Sequence, residues 1–323
     1  MYVRNFSVVH HNSKLRGKKV KKEIENKLID CIGIENVKLE EPMEKHTTFR
    51  IGGPADYFLC PQTAEELKAV IHVCKETGTP YFILGNGSNL LVSDKGYRGA
   101  VIQIWKNMSK VSVEDETKIR AQAGAQLSKI ASCALEQSLE GFEFAAGIPG
   151  TLGGAVVMNA GAYGGEMKDV LVEATVLDTE GNVRTLKNEE LELGYRHSIV
   201  KEKNYIVLEA VIELKKGSAD SIKAVMDDLK EKRVSKQPLD RPSAGSTFKR
   251  PEGHFAGKLI MDAGLRGFQV GGAQVSEKHC GFVVNAGGAT AEDVLNLVKA
   301  VQKKVQDEFG ILLETEIKFL GEF

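Results

Sequence analysis

Positions 146–155 read Ala146-Gly147-Ile148-Pro149-Gly150-Thr151-Leu152-Gly153-Gly154-Ala155. With Gly141, Gly161, Gly164 and Gly165 they concentrate eight of the 33 glycines of the chain between positions 141 and 165. A surface linker of such glycine content would be polar, whereas this one is interleaved with Ile148, Leu152, Val156, Val157 and Met158. Backbone buried outside a regular ladder still needs hydrogen-bond partners. A large ligand with many acceptors, such as a dinucleotide, would supply them; a tightly packed crossover of strands is the other reading.

Upstream, Tyr81-Phe82-Ile83-Leu84 runs as a short apolar strand into Gly85-Asn86-Gly87-Ser88-Asn89-Leu90. Glycines allow positive φ and close approach of a ligand, and successive N–H groups can form a nest for an anion such as a pyrophosphate. The loop is neither of the common nucleotide loops. Leu90 stands where GxGxxG has its third glycine, and no Lys-Ser/Thr pair follows to make a Walker A loop. By itself it fits a plain tight turn as well as a ligand cradle.

The rest of the chain bounds the possibilities. Its 323 residues are 42% hydrophobic and 27% charged with a formal net charge of −1, the profile of a folded protein of two or three domains. Such a charge provides no global field to recruit nucleic acid, so any charged ligand must be met by a local cluster. Cys31, Cys60, Cys74, Cys133 and Cys280 are scattered, without a CxxC pair or a His at metal spacing, which suits a reducing compartment and argues against a structural metal. The first thirty residues are polar and basic without an apolar signal core. The longest apolar stretch, 142–162, contains Glu143, Pro149 and many glycines and cannot be a regular membrane helix. The expectation is a cytoplasmic protein with no nucleic acid, membrane or obligate protein partner.

Local patterns place the elements. Residues 1–21 read as a flexible extension. Thr63-Ala64-Glu65-Glu66 opens a helix with Leu67, Val70, Ile71 and Cys74 on one face, closed by Gly78. A second helix covers about 126–139, strands run at 170–178 and 205–213, and Asp178–Asn182 forms a hairpin turn between strand-like runs. A helical stripe of Ile222, Val225, Met226 and Leu229 follows, then a last helix over about 290–308 and a terminal strand at 311–319. Strands and helices do not alternate regularly enough for a doubly wound sheet, so the fold class is α+β. The expected division is a nucleotide-binding region over 22–217, with its core about 52–217, a smaller domain over 218–308, and a terminal segment, 309–323, returning to the first.

These motifs meet a family. The two glycine loops, with His46-Thr47-Thr48-Phe49-Arg50-Ile51-Gly52-Gly53, resemble the FAD-binding domain of the vanillyl-alcohol-oxidase (PCMH) type. More narrowly, Thr48–Gly53, Gly85–Asn89, Gly147–Ala155, Tyr195–Ser198, Ala244–Lys249 and Leu313–Phe319, in order, are similar to the UDP-N-acetylenolpyruvoylglucosamine reductases of peptidoglycan synthesis. One form of that family carries an extra tyrosine-bearing loop in its substrate domain; no tyrosine occurs here after Tyr205, so this chain resembles the form without it.

The resemblance implies FAD, NADPH as hydride donor and a UDP-amino sugar as substrate. It assigns FAD contacts to Thr48, Ile51, Gly85, Asn86, Gly87, Ser88, Asn89, Leu90, Gly147, Pro149, Gly150, Gly153, Gly154 and Ile206. The absence of His between His72 and His197 suits non-covalent attachment. It also implies catalytic roles: Arg196 pairs with the substrate carboxylate, Ser246 protonates C2, and Glu316 holds or polarises the carboxylate end as a protonated acid. Nothing in their spacing shows that the three meet, and the periodicity around Glu316 alone reads as a solvated strand face. Tyr195, Arg233, Lys236, Arg250, Lys258 and Arg266 are the expected substrate contacts, because UDP-sugar and NADPH both carry phosphates. Two other functions stay open at this stage, an FAD oxidase on the same fold and a flavin-binding module without catalysis.

Overall fold

The computed structural model describes residues 7–323, with side chains from residue 20 onward. Helix α1 (Ser7–Ile32) covers most of the expected extension; residues 1–6 lie outside the described residues. At its end Leu28 and Ile32 are fully buried, with Ile24 and Cys31 packed beside them. That apolar i, i+4, i+7, i+8 stripe draws the helix against α2 (Ala64–Thr77), and the basic run before it had masked the signal. Thr63 caps α2 by accepting from the Glu66 N–H at 3.1 Å, and Gly78 ends it in the left-handed conformation at φ 66°.

These helices cover a four-stranded mixed sheet in the order Val37–Pro42, Pro54–Leu59, Tyr97–Gln103, Tyr81–Leu84; the last three strands are mutually parallel and the first runs against them. A five-stranded antiparallel sheet follows, in the order Val183–Lys187, Leu171–Leu177, Ile206–Glu213, Lys118–Gln122, Val111–Val113. Helices α3 (Leu127–Glu136) and α4 (Leu152–Met158) pack on it. One core joins both sheets, from Leu28 and Leu59 through Ile102, Ile119 and Leu127 to Val156 and Ala210. Asp178 accepts from the N–H groups of Glu180 and Asn182, which makes the expected hairpin turn.

After the short α5 (Ile199–Glu202), α6 (Ala219–Lys236) corrects the expected domain boundary. It packs on α3 and on the turn at Glu143–Ala145, and Met226 joins the first core, so the second body takes shape only after this helix. That body is an antiparallel sheet in the order Ser243–Ser246, Phe282–Asn285, Ala273–Val275, Gln269–Val270. Helices α7 (Ala256–Asp262) and α8 (Ala291–Phe309) close its core of Leu259, Val283, Val294, Val298 and Val301.

Several connections tie the bodies together, two of them through backbone near the first glycine loop and at a helix start. Lys318–Leu320 pairs in parallel with Leu90–Val92, just after the first glycine loop. The expected strand 311–319 is thus shorter, because Leu313 and Ile317 turn into the second core while the backbone of 314–316 bonds to the loop after Ser246. The Asp94 carboxylate also accepts from the N–H groups of Ala291 and Glu292 at 2.8 and 3.0 Å, capping α8 from the other body. No helix among the described residues is long and apolar enough to cross a membrane.

Candidate active site

The glycine loops face each other. Asn86 donates from Nδ2 to the Pro149 carbonyl at 2.8 Å, and a Cβ on Gly85 would lie 2.5 Å from the Thr151 hydroxyl. Gly87 has φ 64°, and a Cβ there would lie 2.1 Å from the His46 carbonyl, so this residue must be glycine for the Thr47–Thr48 segment to close on the loop. Thr48 bridges to the second body, donating its N–H to the Gly87 carbonyl and its hydroxyl to the Ser243 carbonyl at 2.6 Å. Among the described residues, the N–H groups of Asn86, Gly87, Ser88 and Gly147 donate to no protein acceptor. The consecutive N–H groups of Asn86, Gly87 and Ser88, with the exposed Gly147 N–H of the other loop, are donors of the kind an anionic group could take up.

The other expected FAD positions divide. Gly150 and Gly153 are engaged in the turn itself, the first accepting from Leu127 and the second donating to Ala123 at 2.8 Å; Gly154 has open space where a Cβ would be, apart from Thr151 at 3.7 Å. Ile51 and Leu90 have buried side chains, Ile51 in the second core and Leu90 beside Met43 and Leu84, which leaves only their backbones for a ligand. Ile206 lies at a strand end beside Leu177 and Asn204, in a separate surface hollow.

A cleft of about 630 Å³ opens between the bodies, and its wall contains Arg196, Ser246 and Glu316. Three local devices bring them there. Gly194-Tyr195-Arg196-His197 is a tight turn with hydrogen bonds in both directions between its ends, and it places Arg196 at φ 56°. That region costs a side-chain-bearing residue on the order of 1 kcal/mol. The turn is held from outside: buried Asn159 donates to the Gly194 carbonyl at 3.1 Å, and Lys201 donates to the Arg196 carbonyl at 3.1 Å. Ser246 ends a strand whose next residue, Thr247, is buried and pinned, accepting the Val283 N–H on its hydroxyl at 2.9 Å and donating its own N–H to Gly281. Alternation along the strand turns Ser246 to the opposite side.

Glu316 is delivered by the returning terminal segment. Its N–H donates to the Thr247 carbonyl at 2.8 Å, and Asn89 of the first glycine loop donates to its carbonyl at 3.3 Å. The first glycine loop, the strand of Ser246 and the Glu316 carboxylate are thus linked through one backbone segment. Its side chain is 12% exposed, where periodicity alone read a solvated face. Arg196 Nε donates to Glu316 Oε1 at 2.6 Å. Burial pushes the Glu316 carboxyl up from its ordinary value, and the Arg196 guanidinium opposes it.

Of the expected substrate contacts, Tyr195, Arg250, Lys258 and Arg266 line the cleft. Tyr195 Oη accepts from the Arg250 N–H at 2.9 Å across the two bodies, and the Arg250 guanidinium lies 4.6 Å over the Phe255 ring. Lys258 pairs with Asp262 at 2.7 Å, and Arg266 donates to the Glu277 carbonyl. Arg233 and Lys236 are outside this wall, because α6 sits on the first body: Lys236 is exposed and Arg233 is folded against Gly147. Tyr163, Lys278 and His279 line the cleft without having been singled out in the sequence. Tyr163-Gly164 has positive φ at both positions, inside the hairpin of Gly161–Ala162 with Gly165–Glu166, a two-residue turn that glycine spacing could have signalled.

The family model described as "FAD binding domain" matches residues 55–187, and "UDP-N-acetylenolpyruvoylglucosamine reductase, C-terminal domain" matches 237–320. The UDP-N-acetylenolpyruvoylglucosamine reductase of Clostridioides difficile is 53% identical over 295 residues, 91% of this chain and 97% of that protein. The reductase of Agathobacter rectalis is 58% identical, covering 88% of this chain and 94% of that protein. The solved reductase of Thermus caldophilus, 37% identical, superimposes with a TM-score of 0.76 over 88% of this chain and all of that one.

Proposed function

The chain belongs to the UDP-N-acetylenolpyruvoylglucosamine reductase family, FAD-containing oxidoreductases of peptidoglycan precursor synthesis, and we propose from that premise how its own residues share the reaction. NADPH is the reductant in this reading, and FAD, when bound, supplies the hydride that adds to C3 of the enolpyruvyl ether. The free N–H groups of Asn86, Gly87, Ser88 and Gly147 hold the cofactor's anionic part.

Addition at C3 builds negative charge on C2 and the attached carboxylate of the substrate. Arg196, fixed by its turn, meets that charge, and its guanidinium gains most as the charge develops. Without substrate, Arg196 is satisfied by Glu316. A substrate carboxylate competes for the same guanidinium, and a buried Glu316 whose carboxyl is already pushed up then takes a proton and donates to the substrate oxygen. Ser246, on the strand end beside Glu316, gives its proton to C2. Arg250, Lys258 and Arg266 at the cleft wall receive the UDP diphosphate. The partner is a small sugar nucleotide, and a cytoplasmic location follows from such a substrate together with five free cysteines.

The observation that supports this reading best is the convergence of Arg196, Ser246 and Glu316 on one cleft, with Asn89 bonded to the Glu316 backbone. The test is anaerobic visible spectroscopy of wild type and Ser246→Ala. In wild type the flavin band bleaches with NADPH and returns with UDP-N-acetylglucosamine enolpyruvate. In Ser246→Ala bleaching is kept and the return slows by on the order of 10²-fold or more. Equal rates of return in both proteins would remove Ser246 from the proton transfer; a band restored only by oxygen would point to an oxidase.

A further inference from the structure

Asn159 is the residue on which two parts of the cleft wall meet. It follows α4 and ends it in the left-handed conformation at φ 41°, which asparagine tolerates better than most side chains. It is 1% exposed, and its amide is used at both ends. Nδ2 donates to the Gly194 carbonyl at 3.1 Å, at the start of the turn that carries Arg196. It also donates to Glu166 Oε2 at 2.7 Å, in the hairpin that carries Tyr163. Oδ1 accepts from the Lys168 N–H at 2.9 Å, just beyond that hairpin. The far end of the Arg196 turn is tied to the same helix end, since fully buried Ser198 donates its hydroxyl to the Val157 carbonyl at 2.8 Å. Only a primary amide offers donors and an acceptor together at this reach; an aspartate would turn a carboxylate toward the Glu166 carboxylate and the Gly194 carbonyl. Tyr163, Glu166 and Arg196 line the cleft, and Asn159 is not part of that wall.

We propose that Asn159 is a positioning residue for the reduction and acts through Arg196: it holds the 194–198 turn against the Tyr163 hairpin, so that the guanidinium stands where charge develops on the substrate. This role rests on the reading of Arg196 as the group that meets the substrate carboxylate. Arg196 occupies a left-handed backbone region that its own side chain does not favour, and such a conformation persists only while its surroundings over-determine it. A guanidinium displaced by about 1 Å loses much of its advantage toward the developing charge. Because one amide holds both parts, the spacing of the Tyr163 hairpin and Arg196 is set before substrate enters.

The experiment compares wild type, Asn159→Asp, Arg196→Lys, the double variant and, as a control, Asn188→Asp. Asn188 donates to the Lys168 and Leu171 carbonyls next to the same hairpin but belongs to neither the turn nor the cleft wall, so its loss reports on the fold alone. Anaerobic stopped-flow spectra give the rate of flavin bleaching by NADPH and the rate of its return with saturating UDP-N-acetylglucosamine enolpyruvate; calorimetry gives each thermal midpoint. Asn159→Asp is expected to bleach within about twofold of wild type and to return on the order of 10²-fold more slowly. Asn188→Asp returns near the wild-type rate even at an equally lowered midpoint. In the Arg196→Lys background, Asn159→Asp slows the return by less than about threefold, because the interaction it supports is already lost. Equal slowing in both backgrounds, parallel slowing of bleaching, or a return rate equal to that of Asn188→Asp overturns the assignment. Should Asn159→Asp take up no FAD, Asn159→Gly, which suits the left-handed backbone and adds no charge, enters the same cycle. Loss of FAD by both makes Asn159 a residue of the fold alone and also overturns the assignment. A wild type whose flavin never returns with the enolpyruvyl sugar, or an Arg196→Lys that returns at the wild-type rate, refutes the underlying reading instead.

Discussion

Gly87 and Gly78 form a natural pair for testing how closely the first glycine loop is built against its neighbours. Both have left-handed backbones, φ 64° and 66°. A Cβ on Gly78 would meet nothing within 4 Å, whereas one on Gly87 would lie 2.1 Å from the His46 carbonyl oxygen and 3.0 Å from Thr47 Cα. Alanine at 78 therefore pays only the backbone term, about 1 kcal/mol. Alanine at 87 carries the same term plus displacement. Reaching an ordinary C···O separation of roughly 3.3 Å needs a shift of about 1.2 Å, and forced repacking of that kind costs about 2 kcal/mol. Gly87→Ala should thus lose about 3 kcal/mol against about 1 for Gly78→Ala in urea unfolding at equal m-value. The shift also moves the Thr48–Gly87 and Thr48–Ser243 hydrogen bonds, so FAD affinity should fall on the order of 10²-fold in Gly87→Ala and stay unchanged in Gly78→Ala. Equal stability losses, or full FAD affinity in Gly87→Ala, would refute the close approach on which this reasoning stands.

Two further outcomes follow from hydrogen bonds already described. Asp94→Ala leaves two N–H groups of α8 without their acceptor and should cost about 1.5 kcal/mol in urea unfolding; a loss no larger than that of Lys95→Ala would deny the cap. At Asp178, burial works to raise the carboxyl, but the Asn182 N–H, the Arg184 guanidinium and other donors outweigh it and hold it down to about 2. A depressed folded value means that its stabilisation is complete above the ordinary value of 3.8 and is lost as pH falls toward about 2. The thermal midpoint of wild type should therefore exceed that of Asp178→Asn above that window and converge with it below; a constant gap would contradict the sign.

Much of the local structure was legible because it is encoded locally. The Thr63 cap and the Gly78 stop each need only a few adjacent residues. The glycine loops were visible as loops for the same reason, while the residues by themselves left a ligand cradle and a tight turn both open. What was not legible depends on distant partners. Whether Glu316 is solvated or buried is decided by Thr247 and Asn89, not by its own strand period. Arg233 and Lys236 sit in a basic run that reads as part of the second domain, yet Met226 and the contacts with α3 and the 143–145 turn fasten their helix to the first. The basic character of residues 14–22 concealed a helix whose buried stripe begins only at Ile24.

The parallel pairing of Leu90–Val92 with Lys318–Leu320 has a consequence for how the protein is made. The strand following the first glycine loop emerges from the ribosome early, all three of its residues destined for full burial. The residue that completes its neighbourhood, Glu316, lies 227 positions after Asn89, so at roughly 5–20 residues per second that apolar edge stands unpaired for about ten to fifty seconds. Throughout that interval the nascent chain carries a strand edge open to wrong partners. The Glu316 carboxylate and the protection of that edge then arrive together, in a single late step.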